Sequence, residues 1–172
     1  MDRIWIALAA GLVLAGPAQA GEPDCIAILD ATIKMATMPA RQKVSIGRPA
    51  GKPSIESEVI HTADTMYMQV AGHWVKRPYD GRKIAADMRQ ALATHEHTCS
   101  KEGSETVDGQ PADVYRIETA TPQGKSQSKI WIAPSSGLLL RQHTVLVEGA
   151  AANGEHDVRY DYKDVTPPAG VK

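Results

Sequence analysis

Between residues 110 and 165 the chain alternates apolar and polar side chains in four runs, broken by TPQG at 121–124, PSSG at 134–137 and GAAANGE at 149–155. The runs are rich in Val, Ile, Leu, Tyr and Trp, which suit a pleated, half-buried surface. Their connections are short, so neighbouring runs pair antiparallel; parallel neighbours need a crossover of about a dozen residues. Val114, Arg116 and Glu118 alternate with Tyr115, Ile117 and Thr119. Ser126, Ser128, Ile130 and Ile132 share one face of the second run, and Leu138, Leu140, Gln142 and Thr144 one face of the third. In the last run Val158, Tyr160 and Tyr162 oppose Arg159, Asp161 and Lys163. That is a strand wet on one side and covered on the other.

Upstream the period changes twice. After Asp24, a good N-cap, Ile26, Leu29, Ile33 and Ala36 recur every three or four residues, and Cys25, Ile28 and Met35 widen the stripe; Pro39 closes this helix. Strand-like runs follow at 43–46, 54–62, 65–70 and 73–77, with a Gly/Pro-rich loop at 47–53. Met66, Met68 and Val70 share a face, and Trp74 sits between His73 and Val75. Methionines near a Trp serve either as core filler or as a soft lining for varied apolar ligands. A second helix begins after Asp80 and carries Ile84, Met88, Leu92 and His95 on one side, with Arg82, Lys83, Arg89 and Gln90 on the other. It ends near 95–98, just before Cys99, and strands resume at 101, passing the Asp108-Gly109 hairpin signal. The class is α+β: two one-sided helices and an antiparallel sheet large enough to bury them.

Composition changes the picture in three ways. The first twenty residues have a polar start with one Arg, an apolar run over 4–16, and Ala18-Gln19-Ala20. This predicts a secretory leader over 1–20, cleaved after Ala20, with one domain over 21–172. Export places Cys25 and Cys99 in an oxidising compartment, where an even pair predicts a disulfide. It would join the start of the first helix to the end of the second. Charge is balanced, 19 basic against 20 acidic residues, and Phe is absent. A nucleic-acid partner is therefore not expected.

Candidate chemistry is sparse. His95-Glu96-His97 near Cys99 is the one cluster of metal-ligand types, but its histidines are two apart rather than the four that a helical zinc site uses. The reading is a solvated helix end whose histidines favour the C-terminal dipole, with no metal and no cofactor. Ser45, Ser135 and Ser136 lack a G-x-S-x-G setting, Glu56 and Glu58 share a strand face as solvated charges, and no phosphate-cradling Gly-rich loop occurs. No enzymatic activity is expected.

Three segments carry a family likeness: Val114-Tyr115-Arg116-Ile117, then Ile130-Trp131-Ile132-Ala133-Pro134 with Ser136-Gly137-Leu138-Leu139-Leu140-Arg141, and Tyr160-Asp161-Tyr162-Lys163-Asp164-Val165. Together with the element order, the chain resembles the periplasmic lipoprotein-carrier superfamily (LolA/LolB-like). The resemblance implies a curved antiparallel β-sheet, an incomplete barrel, with two helices covering the concave face and a cavity between them that takes acyl chains. On that reading the lining is Met66, Met68, Trp74, Ile130, Ile132 and Leu140 from the sheet, and Ile33, Met88 and Leu92 from the helices. The function expected is non-catalytic binding of a lipid, a lipoprotein acyl chain or another apolar molecule in the periplasm. The alternative is a protein-interaction or accessory factor of the cell envelope, built on the same scaffold with a filled core and partnered by another envelope protein.

Overall fold

A computed structural model describes residues 22–47, 53–148 and 154–171. The expected leader, the loop at 48–52 and the turn at 149–153 lie outside the described residues. Two helices, α1 (Glu22–Thr37) and α2 (Gly81–Thr94), accompany nine strands: β1 (Ala40–Gly47), β2 (Ile55–His61), β3 (Thr65–Val70), β4 (His73–Pro78), β5 (Glu96–Val107), β6 (Gln110–Thr121), β7 (Gly124–Ile132), β8 (Leu139–Leu146) and β9 (Glu155–Asp161). They form one antiparallel sheet in the order β4-β3-β2-β1-β9-β8-β7-β6-β5. β1 pairs with β9, which joins the upstream strands to the downstream meander. β4 and β5 remain as edges, so the barrel is incomplete.

α1 has two apolar sides because it is packed on two sides. Ile28, Ala31 and Met35 are buried in a cluster with Cys99, Tyr115, Ile130, Ile132 and Leu139 of the sheet. Burying an Ile or Met side chain contributes roughly 1.5–3 kcal/mol, so these anchors hold α1 on β5 to β8. Leu29, Ile33 and Ala36 lie a third of a turn away, on the flank where Ala36 meets α2. The stripe predicted to be primary is thus the helix-to-helix side, and Ile26, at its end, is 48% exposed. α2 packs on α1 and on no strand to a comparable extent.

The joint between the helices is tightly specified. Asp80 caps α2 as predicted, accepting the Lys83 N–H at 3.0 Å. A Cβ on Gly81 would overlap the Ala36 carbonyl oxygen, so glycine is required by close approach. The Tyr79 hydroxyl donates to that same oxygen at 2.8 Å. His61, 1% exposed, directs Nε2 at the carbonyls of Met35 (3.0 Å) and Met38 (2.8 Å) and stacks on Tyr79. The last turn of α1 would otherwise leave carbonyls without donors.

Three expectations need correction. β5 begins at Glu96, where the sequence pattern predicts the end of a helix. Glu96 to Cys99 pair with Ala120 to Ile117 of β6, and that ladder outweighs the local helical pattern. Cys25–Cys99 does form, with Cα atoms 5.3 Å apart, but it fastens α1 to the edge strand β5 rather than to α2. Asp24 lies inside the first turn of α1 instead of capping it. Its carboxylate accepts the backbone N–H of Lys101, where the β5 register skips a residue.

Candidate functional site

Directly opposed residues in an antiparallel pair share a face, so the registers map what the concave side presents. One row runs Ser57, Val44, Val158, Gln142, Ile130, Tyr115 across β2, β1, β9, β8, β7 and β6. A second runs Val75, Met68, Val59, Gln42, Tyr160 across β4, β3, β2, β1 and β9. A third runs Ile55, Ile46, His156, Thr144, Ser128, Ile117, Cys99 across β2, β1 and β9 to β5. Met35 and Cys25 of α1 touch these rows from above, at Gln42 and Cys99, which marks this face as the one under α1.

α1 covers only part of the face. Tyr115, Ile130 and Ile132 are buried beneath it, whereas Val44, Ile46, Val59, Met68, Val75 and Val158 are only half-buried. Ile55 and Val70, on the same side, are 43% and 54% exposed. The result is a trough floored by β1, β2, β3 and β9, mostly apolar, with Ser57, Gln42 and His156 as its polar members. A sheet face of this kind is normally covered.

The floor is also free of formal charge. Arg41, Lys43, Glu56, Glu58, Lys125, Lys129, Arg141, Glu155, Asp157, Arg159 and Asp161 all alternate onto the convex side. There they neutralise one another: Arg41 with Glu58 at 3.2 Å, Arg141 with Asp157 at 2.6 Å, Lys129 with Glu105 at 2.7 Å. The Lys129 ammonium and the Trp131 N–H hold the Glu105 carboxyl below the usual carboxylate range. Charges on the concave side sit at the rims, as Arg77 on β4 and Lys101 paired with Asp113 next to β5. Burial pushes the Tyr160 hydroxyl well above its ordinary range, as it does Tyr162, so this floor is a poor solvent for charge.

The nine residues expected to line a cavity are divided. Ile130 and Ile132 are in the packed cluster under α1. Met66 and Met68 are on the concave floor, and Ile33, Met88 and Leu92 are half-buried on the helices. Trp74 opposes Gln69, which places it on the convex side, opposite in parity to Met68 and Val75. Leu140 joins a second cluster with Trp131, Val114, Ala112, Val107 and Ala133. The cause is a bulge: Trp131 opposes Arg141 and Ile132 opposes Leu139, so Leu140 is the extra residue and strict alternation fails there. The trough residues that sequence reasoning did not single out are Val44, Ile46, Val59 and Val158. Each was visible as an alternating apolar position, but the pairing of β1 with β9 was not.

His97 lies in β5 and donates from Nε2 to the Leu92 carbonyl at 2.9 Å, finishing the end of α2. Among the described residues no group of three or more His, Cys, Asp or Glu could hold a metal ion, and no helix is long and apolar enough to cross a membrane. Clefts also occur outside the trough. One of about 620 Å³ lies at the helix joint beside Tyr79 and Asp80, and one of about 280 Å³ lies beside His97 and Glu118.

No family model and no curated protein matches the chain. Among solved structures it is similar to MucB at 13% identity with a TM-score of 0.52, over 91% of this chain and 63% of that one. It is similar to LprF from Mycobacterium bovis at 15% identity with a TM-score of 0.46, over 89% of this chain and 100% of that one. A third is the hypothetical lipoprotein YmcC from Escherichia coli, at 13% identity and a TM-score of 0.37, over 73% and 88%. The chain spans less than two thirds of MucB. The likeness to MucB is one of fold alone.

Proposed function

We propose that this chain is a non-catalytic binding protein of the periplasm that holds a lipid or other apolar molecule in the concave trough. The observation that carries the reading is the half-covered floor. Val44, Val59, Met68 and Val158 form an apolar, charge-free surface that neither helix seals. Covering such a surface contributes roughly 25 cal/mol per Å² before the cost of ordering the ligand. Export is supported by the leader pattern at 1–20 and by the Cys25–Cys99 disulfide, which needs an oxidising compartment. The proposed lining is Met66 and Met68 with the β1 and β9 valines, together with the half-buried Ile33, Met88 and Leu92 of the helices. Ile130 and Ile132 form its closed end.

The test is titration of the purified chain with an apolar dye whose fluorescence rises out of water. Saturable binding to the wild type and its loss in Val59→Asp support the reading. No saturable binding to a folded wild type overturns it. If a stoichiometric protein from the envelope then co-purifies with the chain, the function is that of an accessory factor on the same scaffold.

A further inference from the structure

Beside the trough floor, on β7 and β8, the concave face carries a hydrogen-bonded polar strip without Asp, Glu, Lys or Arg. Ser128 and Thr144 oppose each other on β7 and β8, and Gln142 lies two residues along β8 on the same face. The Ser128 and Thr144 hydroxyls share a hydrogen bond of 2.8 Å, and Gln142 Nε2 donates to Thr144 Oγ1 at 3.1 Å. The Tyr160 hydroxyl reaches Gln142 Oε1 at 3.5 Å. Gln142 and Thr144 are half-buried, so the strip lies where the cover of α1 gives way to the open trough.

A count of donors makes the strip informative. Two hydroxyls supply two hydrogens, and the bond between them uses one, whichever group donates. One O–H therefore remains. Gln142 has two N–H hydrogens and uses one on Thr144, so one N–H remains as well. Among the described residues neither surplus donor has a side-chain or backbone partner. Gln142 lies at the head of an apolar row, where it opposes Val158 and Val158 opposes Val44, and Thr144 opposes His156. Unsatisfied donors at the edge of an apolar surface select a ligand that brings an acceptor.

From this we infer that the strip Ser128–Thr144–Gln142 determines ligand specificity: it receives the uncharged carbonyl oxygen of an acyl ester or amide. The acyl chain lies along Val158, Val44, Val59 and Met68. The inference rests on the reading of the trough as an apolar binding site. From β8 to β3 the path crosses four strand spacings, about 19 Å at roughly 4.8 Å each, room for a long extended chain. A carboxylate is disfavoured there. The strip offers it two neutral donors and no Lys or Arg, whose nearest side chains are on the convex side or at the rims; His156, which opposes Thr144 on this face, is exposed. Desolvating an unpaired carboxylate costs far more than desolvating an ester.

The experiment displaces the apolar dye from the full chain with three probes sharing one oleoyl chain or its length: methyl oleate, oleate at pH 8, and octadecane. Wild type should bind methyl oleate at least tenfold tighter than either other probe. Thr144→Val with Gln142→Leu should cut the ester preference over octadecane by about fivefold to thirtyfold, as expected for one or two neutral hydrogen bonds, with the melting temperature kept. Equal affinity for ester and hydrocarbon in the wild type overturns the inference, as does tighter binding of oleate. An ester preference that survives the double substitution does the same. If the dye itself does not bind the folded wild type, the trough reading fails and this inference with it. If it binds without discrimination, only the inference fails.

Discussion

The carboxylate of Asp24 accepts the backbone N–H of Lys101 at 3.0 Å, one residue from the Cys25–Cys99 disulfide. Two bonds of different kinds therefore fasten the first turn of α1 to the edge strand β5. The first satisfies a backbone donor at the β5 bulge, a point where an edge strand is open to foreign pairing. The second closes a loop of 74 residues. Loop closure of that size stabilises by up to about 4 kcal/mol, less any structure retained in the unfolded chain. The Cys25→Ser, Cys99→Ser variant should lose stability of that order in denaturant titrations, and reductant should do the same to the wild type. Unchanged midpoints in both would mean that the noncovalent contacts of α1 suffice.

Gly81 should not tolerate a methyl group. Gly81→Ala puts a Cβ into the Ala36 carbonyl, which is main chain and cannot rotate away. Overpacking of this kind costs about 1–3 kcal/mol. Thermal unfolding of Gly81→Ala beside the wild type measures it, and a melting temperature within error of the wild type would contradict the close approach.

His61 is a buried donor rather than a catalytic group. His61→Leu fills similar space but leaves the Met35 and Met38 carbonyls without the Nε2 donor. A loss of about 1–3 kcal/mol follows from leaving a buried acceptor unsatisfied. His61→Gln, which can still donate, should recover part of it. Urea midpoints for the two variants order them, and equal loss in both would assign the effect to packing alone.

Glu105 gives the outer face a pH signature. Its carboxyl is held low by the Lys129 ammonium first and the Trp131 N–H second. A carboxylate more acidic when folded than unfolded stabilises the protein above its unfolded pKa, and that contribution fades as pH falls through the folded value. Between pH 6 and pH 3 wild-type stability should therefore fall more steeply than that of Glu105→Gln. Parallel slopes would show that the bond contributes nothing, as exposure of the pair permits.

Much of this architecture is legible in the alternation of the chain, because a one-sided sheet writes its faces directly into period two. The boundaries of β3, β6 and β7, the Asp80 cap and the cysteine pair all follow from local rules. What was not legible depends on partners distant in sequence. His95 to Thr98 read as a helix end until β6 is placed beside Glu96 to Thr98. Leu140 changes face only because β8 carries one residue more than β7 at Trp131. Trp74 was grouped with the methionines by nearness, while its parity in β4 sends it to the other side. The trough itself arises from the β1–β9 pairing, which brings Val44 against Val158 across more than a hundred residues of chain.

The central claim is that the uncovered half of the concave face holds an apolar ligand. Native mass spectrometry tests it most directly, on the chain expressed with its leader and purified without detergent, before and after incubation with phospholipid vesicles. An added mass matching an acyl lipid is expected on the wild type, together with its absence from a Val44→Asp, Val59→Asp variant that still melts cooperatively. A wild type that has only the mass of its polypeptide, and that takes up nothing from the vesicles, would contradict the account.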